Sequence, residues 1–246
     1  MTRRLAGVAL FVTMLLGSAV VVSAAPGDLN VKIDGIGSVS APLQIVIVMT
    51  LLSFLPAALV VMTSFTRIVI VFHFLRQALG AQEMPPNQVL VGLSLFLTVF
   101  IMAPVGERIN ARAVQPVLAG KMSIGDAIEA GAPPLREFML KQTRQADLAL
   151  FTELSKTPRP NGPDDLPMLV VIPAYTISEL KTGFQMGFFV FVPFLLIDLV
   201  VSTTLLSMGM LQLPPAMISL PFKLLLFVMV DGWNLIVSSL VRSFAS

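Results

Sequence analysis

Apolar residues run along this chain in long blocks, and the polar residues gather between them. Leu43 to Met62 carries no charge over 20 residues, enough to cross a bilayer as a helix. The pattern continues past it, with Arg67, His73 and Arg76 set among Ile, Val, Phe and Leu. It predicts one helix from 43 to 79, about 55 Å long at about 1.5 Å per residue, kinked at Pro56 and stopped at Gly80. Arg67 and Arg76 lie about half a turn apart in angle, so they do not share a face. Met84-Pro85-Pro86-Asn87 breaks the chain. A second apolar run from Val89 to Val105 follows, and Pro104 and Gly106 are expected to end it.

The middle of the chain is polar. Ser123-Ile-Gly-Asp126 reads as a helix start, and Pro133-Pro134 as a break. From Leu135 to Leu154 the apolar residues follow a helical stripe. Thr157 to Pro167 holds four prolines and a glycine and reads as a loop. Thr176-Ile-Ser-Glu179 forms a capping box, which predicts a helix from there to about Ser207, kinked at Pro193. Pro214-Pro215 suits the first turn of a return helix, expected to run to about Val241. No strand-type alternation occurs. The pattern predicts an all-α protein of membrane-inserted helical hairpins: four long kinked hydrophobic helices with a small helical polar insert.

Composition sharpens this picture. The chain has 246 residues, of which 56% are hydrophobic and 12% charged, against about 25% charge in ordinary soluble domains. Between Glu107 and Asp165 lie 16 of the 30 charged residues, so the flanking stretches are almost free of charge. The net charge of +2 is small and the basic residues are dispersed, which argues against a nucleic-acid partner. There is no Cys and a single His, His73. Disulfides and a His/Cys zinc site are thereby excluded, and neither a GxSxG motif nor a phosphate-cradling glycine loop is present. No cofactor, metal or catalytic set is expected, and the protein reads as a non-enzyme. His73 reads as a packing residue.

At the N-terminus, Arg3-Arg4, the apolar stretch Leu5 to Val22 and the small residues before Pro26 read as a signal peptide over 1–24. The apolar stretch is also long enough to serve as an uncleaved anchor. The resulting segments are a lead at 25–42, a first hydrophobic hairpin at 43–105, a polar extracytoplasmic insert at 106–175, and a second hairpin at 176–246. By the positive-inside rule, 64–88 faces the cytoplasm.

Asp198, Lys223 and Asp231 fall inside the last two apolar runs, where an ionised group is costly unless paired or hydrated. The midpoint of 198 and 223 lies between Met210 and Leu211. A hairpin folded there sets the two residues at one height, paired within one subunit or between neighbours. Asp231 mirrors Val190, which cannot pair with it, so its partner is expected on another chain.

These residues sit in stretches with a familiar sequence. ISELKTGFQMGFFVFVPFLLIDLVVSTTLLSMGMLQLPPAMISLPFKLLLFVMVDGW (Ile177 to Trp233), SFTRIVIVFHFLRQALG (64 to 80) and PPNQVLVGLSLFLT (85 to 98) resemble the FliP family of flagellar type III export-gate proteins, which has counterparts in virulence secretion. HFLRQALG leans toward the flagellar branch. The resemblance implies a pentamer-like homo-oligomeric ring in the bacterial inner membrane, at the flagellar basal body. It implies FliQ-like and FliR-like partner subunits, lipid contact, and unfolded export substrates passing through the centre. It implies that Met208, Gly209, Met210 and Leu211 occupy the methionine loop that closes the pore. It also implies that Glu179 and Lys223 fall on polar positions used between subunits, and Phe138 and Phe151 on aromatic positions linked to assembly. Set against this is an ordinary four-helix transporter or ion channel using Asp198, Lys223 and Asp231. Such a site would place Asn, Ser or free backbone at a broken helix, whereas the Met-Gly-Met tip suits a deformable apolar seal.

Overall fold

A computed structural model describes residues 41–80, 85–155, 162, 166–210 and 212–245. The expected signal peptide, the lead up to residue 40, most of the proline-rich loop and Leu211 lie outside the described residues. The described chain is all helical. Its elements are α1 (Ala41–Met62), α2 (Phe65–Leu79), α3 (Asn87–Ile109), a π-turn (Asn110–Val114), α4 (Gln115–Leu118), α5 (Ile124–Gln142), α6 (Gln145–Leu154), α7 (Met168–Ser207), α8 (Pro215–Met229) and α9 (Gly232–Arg242). Two continuous helical stretches, Asn87–Leu118 and α7, are long and apolar enough to cross a membrane, and four do so if each bent helix pair counts as one span.

Several boundaries differ from the sequence expectation. The single helix expected over 43–79 is two, parted at Thr63 and Ser64. The expected stop at Pro104 and Gly106 is absent, because α3 passes through both. Pro133 and Pro134 lie inside α5. A proline in a helix removes one N–H bond to the carbonyl four residues back. Here those carbonyls belong to Glu129, which is exposed, and Ala130, which is half-buried, so water can take the place of the lost donors. The break comes instead at Thr143 and Arg144, both in extended conformation. The capping box at Thr176 is not a start either. Helix α7 begins at Met168, runs 40 residues, and carries Pro173 and Pro193 within it. Helix α8 stops at Met229 rather than near Val241, and α9 leaves it at 62°.

Two signals act as expected. Ser123 Oγ accepts the Asp126 N–H and caps α5. Gly80 takes a left-handed φ of 69° and ends α2, its N–H donating to Gln77 O at 3.1 Å.

The chain forms two compact units. Among the described residues, one holds 41–63 together with those of Met102–Pro173. Met102, Val105, Ala113, Phe138, Met139, Val170 and Val171 are buried in it. The π-turn packs on α5 at Gly131, where a Cβ would fit in ordinary contact, 3.5 Å from Ala113. Glu137 on α5 accepts from Arg108 on α3 at 2.5 Å and from Lys141 at 3.0 Å.

The other unit holds Ser64–Ile101 and Ala174–Ser246. Its core is Ile68, Val71, Phe72, Leu75, Ala78, Leu79, Leu90, Phe194, Phe227, Ile236 and Leu240. Helices α2 and α7 run parallel there, since Arg67 meets Glu179, Ile70 meets Gly183 and Phe74 meets Gly187. The two glycines permit the approach. A Cβ on Gly187 would lie 2.5 Å from the Phe74 ring, and one on Gly183 would lie 3.2 Å from Ile70.

Two measurements test this packing. Gly187→Ala forces the Phe74 ring aside and is expected to cost about 1–3 kcal/mol, read as a lowered melting temperature in detergent. In the insert, hydrogen bonds from Lys141 first, then Arg108, hold the Glu137 carboxyl below its usual range. A depressed carboxyl stabilises the fold above its unfolded pKa and loses that contribution as pH falls through the folded value. The acid-side loss of melting temperature, below about pH 4.5, is therefore expected to be smaller in Glu137→Gln than in the native chain.

Candidate functional site

The second unit carries two ion pairs and one exposed turn, and all three depend on α7. Pairing along α7 and α8 is antiparallel. The Phe194 and Phe227 rings lie 6.4 Å apart, and one turn further toward the tip Lys223 Nζ donates to Asp198 Oδ2 at 2.6 Å. This is the pair expected from the mirrored positions, formed within one chain. Ser219 Oγ donates to the other carboxylate oxygen at 2.6 Å. The Lys223 side chain is 6% exposed and that of Asp198 is 39% exposed. Lys223 Nζ also lies beside Gly80, at the C-terminal end of α2, where the helix dipole favours a cation. One ammonium group thus sits where three helices meet.

The tip beyond this pair has regular chemistry. Met210 N–H donates to Leu205 O and Gly209 N–H to Leu206 O, both at 3.0 Å. These six-to-one and five-to-two bonds are a Schellman stop, which needs a left-handed residue after the helix. Gly209 supplies it, at φ 74°. The return begins at Pro214, in extended conformation, with Pro215 opening α8. Met208 is 66% and Met210 42% exposed. The hydroxyls just below are used inside α7: Thr203, Thr204 and Ser207 donate to carbonyls three or four residues back. The tip therefore presents thioethers and no charge.

At the far end of the unit is a second, buried pair. Arg67 donates through Nε and Nη2 to both oxygens of Glu179. Its Nη1 donates to the carbonyl and hydroxyl of Ser243 at 3.1 and 3.0 Å. The ring of Phe244 stacks on the guanidinium 3.8 Å from Cζ, a favourable placement for a cation. Arg67 and Glu179 are both buried. Glu179 is thus not at a helix start but in the fourth turn of α7, and its charge is met within the chain. Sequence reasoning missed this pair, along with the parts played by Ser219, Ser243 and Phe244. The available signal was a lone acid and a lone base of opposite sign in otherwise apolar runs.

The other sequence-derived residues are dispersed. Arg76 is half-buried in the last turn of α2, and His73 is exposed. Asp231 is not a buried charge in a continuous helix. It is exposed at the α8–α9 break and adopts φ 49°. Next to it, Gly232 leaves room for the Phe227 ring, which a Cβ would overlap. Trp233 packs edge-on against Phe227 at 5.3 Å and against Phe72 at 6.5 Å. Phe138 is buried on α5 and Phe151 half-buried on α6, in the first unit. Among the described residues no cluster of three His, Cys, Asp or Glu is placed to hold a metal.

A family model for FliP matches residues 48–240, which include both ion pairs and the tip. The chain belongs to the FliP family. Among its relatives, the flagellar biosynthetic protein FliP of Pectobacterium carotovorum is 58% identical over 203 residues, covering 82% of this chain and 79% of the relative. The protein of that name from Bacillus subtilis is 54% identical over 207 residues, covering 84% and 94%. That of Aquifex aeolicus is 44% identical over 234 residues, covering 94% and 98%.

For this FliP-family chain the buried pair makes a sharp prediction. Removing one partner of a buried ion pair leaves an unmatched charge and costs about 3–5 kcal/mol, whereas replacing both with apolar groups is often near neutral. Glu179→Leu is expected to unfold at a clearly lower temperature, and Arg67→Met with Glu179→Leu to recover most of the loss. A double variant no better than the single one would show that the pair does not act as a unit.

Proposed function

We propose that this chain is a core subunit of the flagellar type III protein export gate. In this reading it is a non-enzymatic membrane protein that forms a ring with copies of itself and with FliQ-like and FliR-like subunits. It sits in the bacterial inner membrane at the flagellar basal body and serves flagellum assembly. Unfolded substrate proteins pass through the ring centre, where the Met208–Leu211 tips meet as a seal.

The observation that carries this reading is the tip itself. A charge-free turn with two exposed methionines is held at the end of a hairpin locked by Asp198 and Lys223. Methionine is unbranched and polarisable and packs against irregular partners. It suits a gasket that must yield to many sequences and close again. The names of the relatives, all flagellar biosynthetic proteins, give the process. The transporter reading needs Asp198 and Lys223 free to take a solute or proton, and here each is engaged by the other.

The test is conductance. Met208→Ala with Met210→Ala shortens both thioether arms while leaving Gly209 to end α7. Cells or proteoliposomes carrying the assembled complex are expected to leak small ions at rest, at several times the native rate. Native conductance in the double variant would overturn the seal.

A further inference from the structure

Outside the ion pairs, the second unit retains exposed Lys181, Asp231 and, in the last turn of α9, Arg242; Lys181 and Asp231 are of opposite sign and stand on apolar faces. Neither Asp231 nor Lys181 has an ion-pair partner among the described residues. Lys181 points away from the face of α7 that packs on α2. Counting 100° per residue from Glu179, Gly183 and Gly187, it lies on the opposite side of the helix. Along the same outer stripe stand Phe188, Leu195 and Leu199, all exposed. Asp231 sits on a different pair of helices, at the α8–α9 break, among exposed Val228, Met229, Val230 and Leu235.

Each face is too apolar for water, and each carries one charge that is costly in lipid. One partner settles both: a surface that offers apolar contact and a single opposite charge. Each face has what the other lacks.

We propose that neighbouring copies pack the outer stripe of α7 from one copy against the α8–α9 break of the next, with Lys181 paired to Asp231 of the neighbour. The inference rests on the ring reading above and names the faces that build the ring. Because the two faces differ, the contact is head-to-tail. Repetition then closes a ring or winds a helix, and does not stop at a two-fold dimer. Phe72, level with residue 185 of α7, touches Trp233, while the 194/227 and 198/223 pairs carry the antiparallel register to Asp231 opposite residue 190, so the break lies level with α7 four to nine residues beyond Lys181. That offset is roughly 6 to 14 Å at about 1.5 Å per residue, and the long lysine stem covers the near part of it. The left-handed Asp231 also gains a reason. The break lifts its carboxylate out of the helix and into the path of a neighbour.

The native complex, purified from membranes of cells assembling flagella, tests this without mutation. A zero-length carbodiimide activates a carboxylate, which an adjacent amine then attacks, joining the two as an amide. An Asp231–Lys181 linked peptide is expected. In complexes assembled from mixed heavy-isotope and ordinary chains it should be found with one half of each mass. Lys181→Glu is expected to lower the assembled fraction about tenfold by native mass measurement, and Lys181→Glu with Asp231→Lys to restore it. Asp231→Asn, which keeps a residue tolerant of the left-handed backbone, is expected to abolish the link. A native-sized oligomer without the link, with Lys181→Glu assembling normally, would overturn this contact and leave the ring standing. A native chain that is monomeric in its working state would overturn both.

Discussion

The second unit is organised around one buried ion pair, Arg67 with Glu179. Both charges are out of water, a placement that costs several kcal/mol per ion unless the hydrogen bonds are complete. The chain completes them with four donations from one guanidinium, two to Glu179 and two to Ser243, and a ring laid on its face. A pair so demanding fixes register. With residue 67 on 179, helix α2 must lie parallel to α7, and Ile70 and Phe74 fall on Gly183 and Gly187. Those two positions carry glycine because the ion pair brings the helices that close. The end of the chain is recruited too, since Ser243 and Phe244 finish the shell.

The second pair works differently. Lys223 is buried but Asp198 is partly open, so the bond between them sits at an edge of the unit. Its effect is to set the height at which α7 and α8 are clamped, and with it the length of hairpin that stands free. Beyond the clamp there is little core. Met208, Met210, Leu213 and Met217 are all exposed. Stability lies below the clamp and adaptability above it. In the proposed gate, a tip that deforms can do so without disturbing the helices that carry it, because the polar lock separates the two.

The sequence made the helices, the polar insert and the hairpin tip legible, because each has a local signature: uncharged runs, a block holding over half the charge, and glycine followed by paired prolines. It also disclosed Asp198 with Lys223, since a hairpin maps residues by reflection about its tip. What it hid was non-local or concerned breaks. Arg67 and Glu179 belong to separate apolar runs joined by no turn, so no reflection relates them. Prolines misled in the opposite direction. At 104, 133 and 134 they look like stops or breaks, yet each is accommodated within a long helix. The real stops at Ser64 and Asp231 occur where neither residue is a strong helix breaker. At the second of them Gly232 admits the Phe227 ring, which a Cβ would overlap. The relation of Phe138 and Phe151 to assembly was read only from family likeness; Phe138 is buried on α5 and Phe151 half-buried on α6.

Glycine 209 shows how local geometry and function meet. A longer methionine run would place one more thioether at the tip, and by that count the glycine looks like a loss. Yet α7 must end where the clamp and the hairpin length require, and a Schellman stop there needs a left-handed residue. Methionine in that conformation carries the strain of a Cβ against the following carbonyl, about 1–2 kcal/mol. Glycine carries none, and it turns the backbone so that Met208 and Met210 leave the helix on either side of it, both exposed. In the proposed gate the glycine therefore aims the two methionines rather than diluting them. A sharp, well-made turn is what allows the soft side chains on it to be the part that moves.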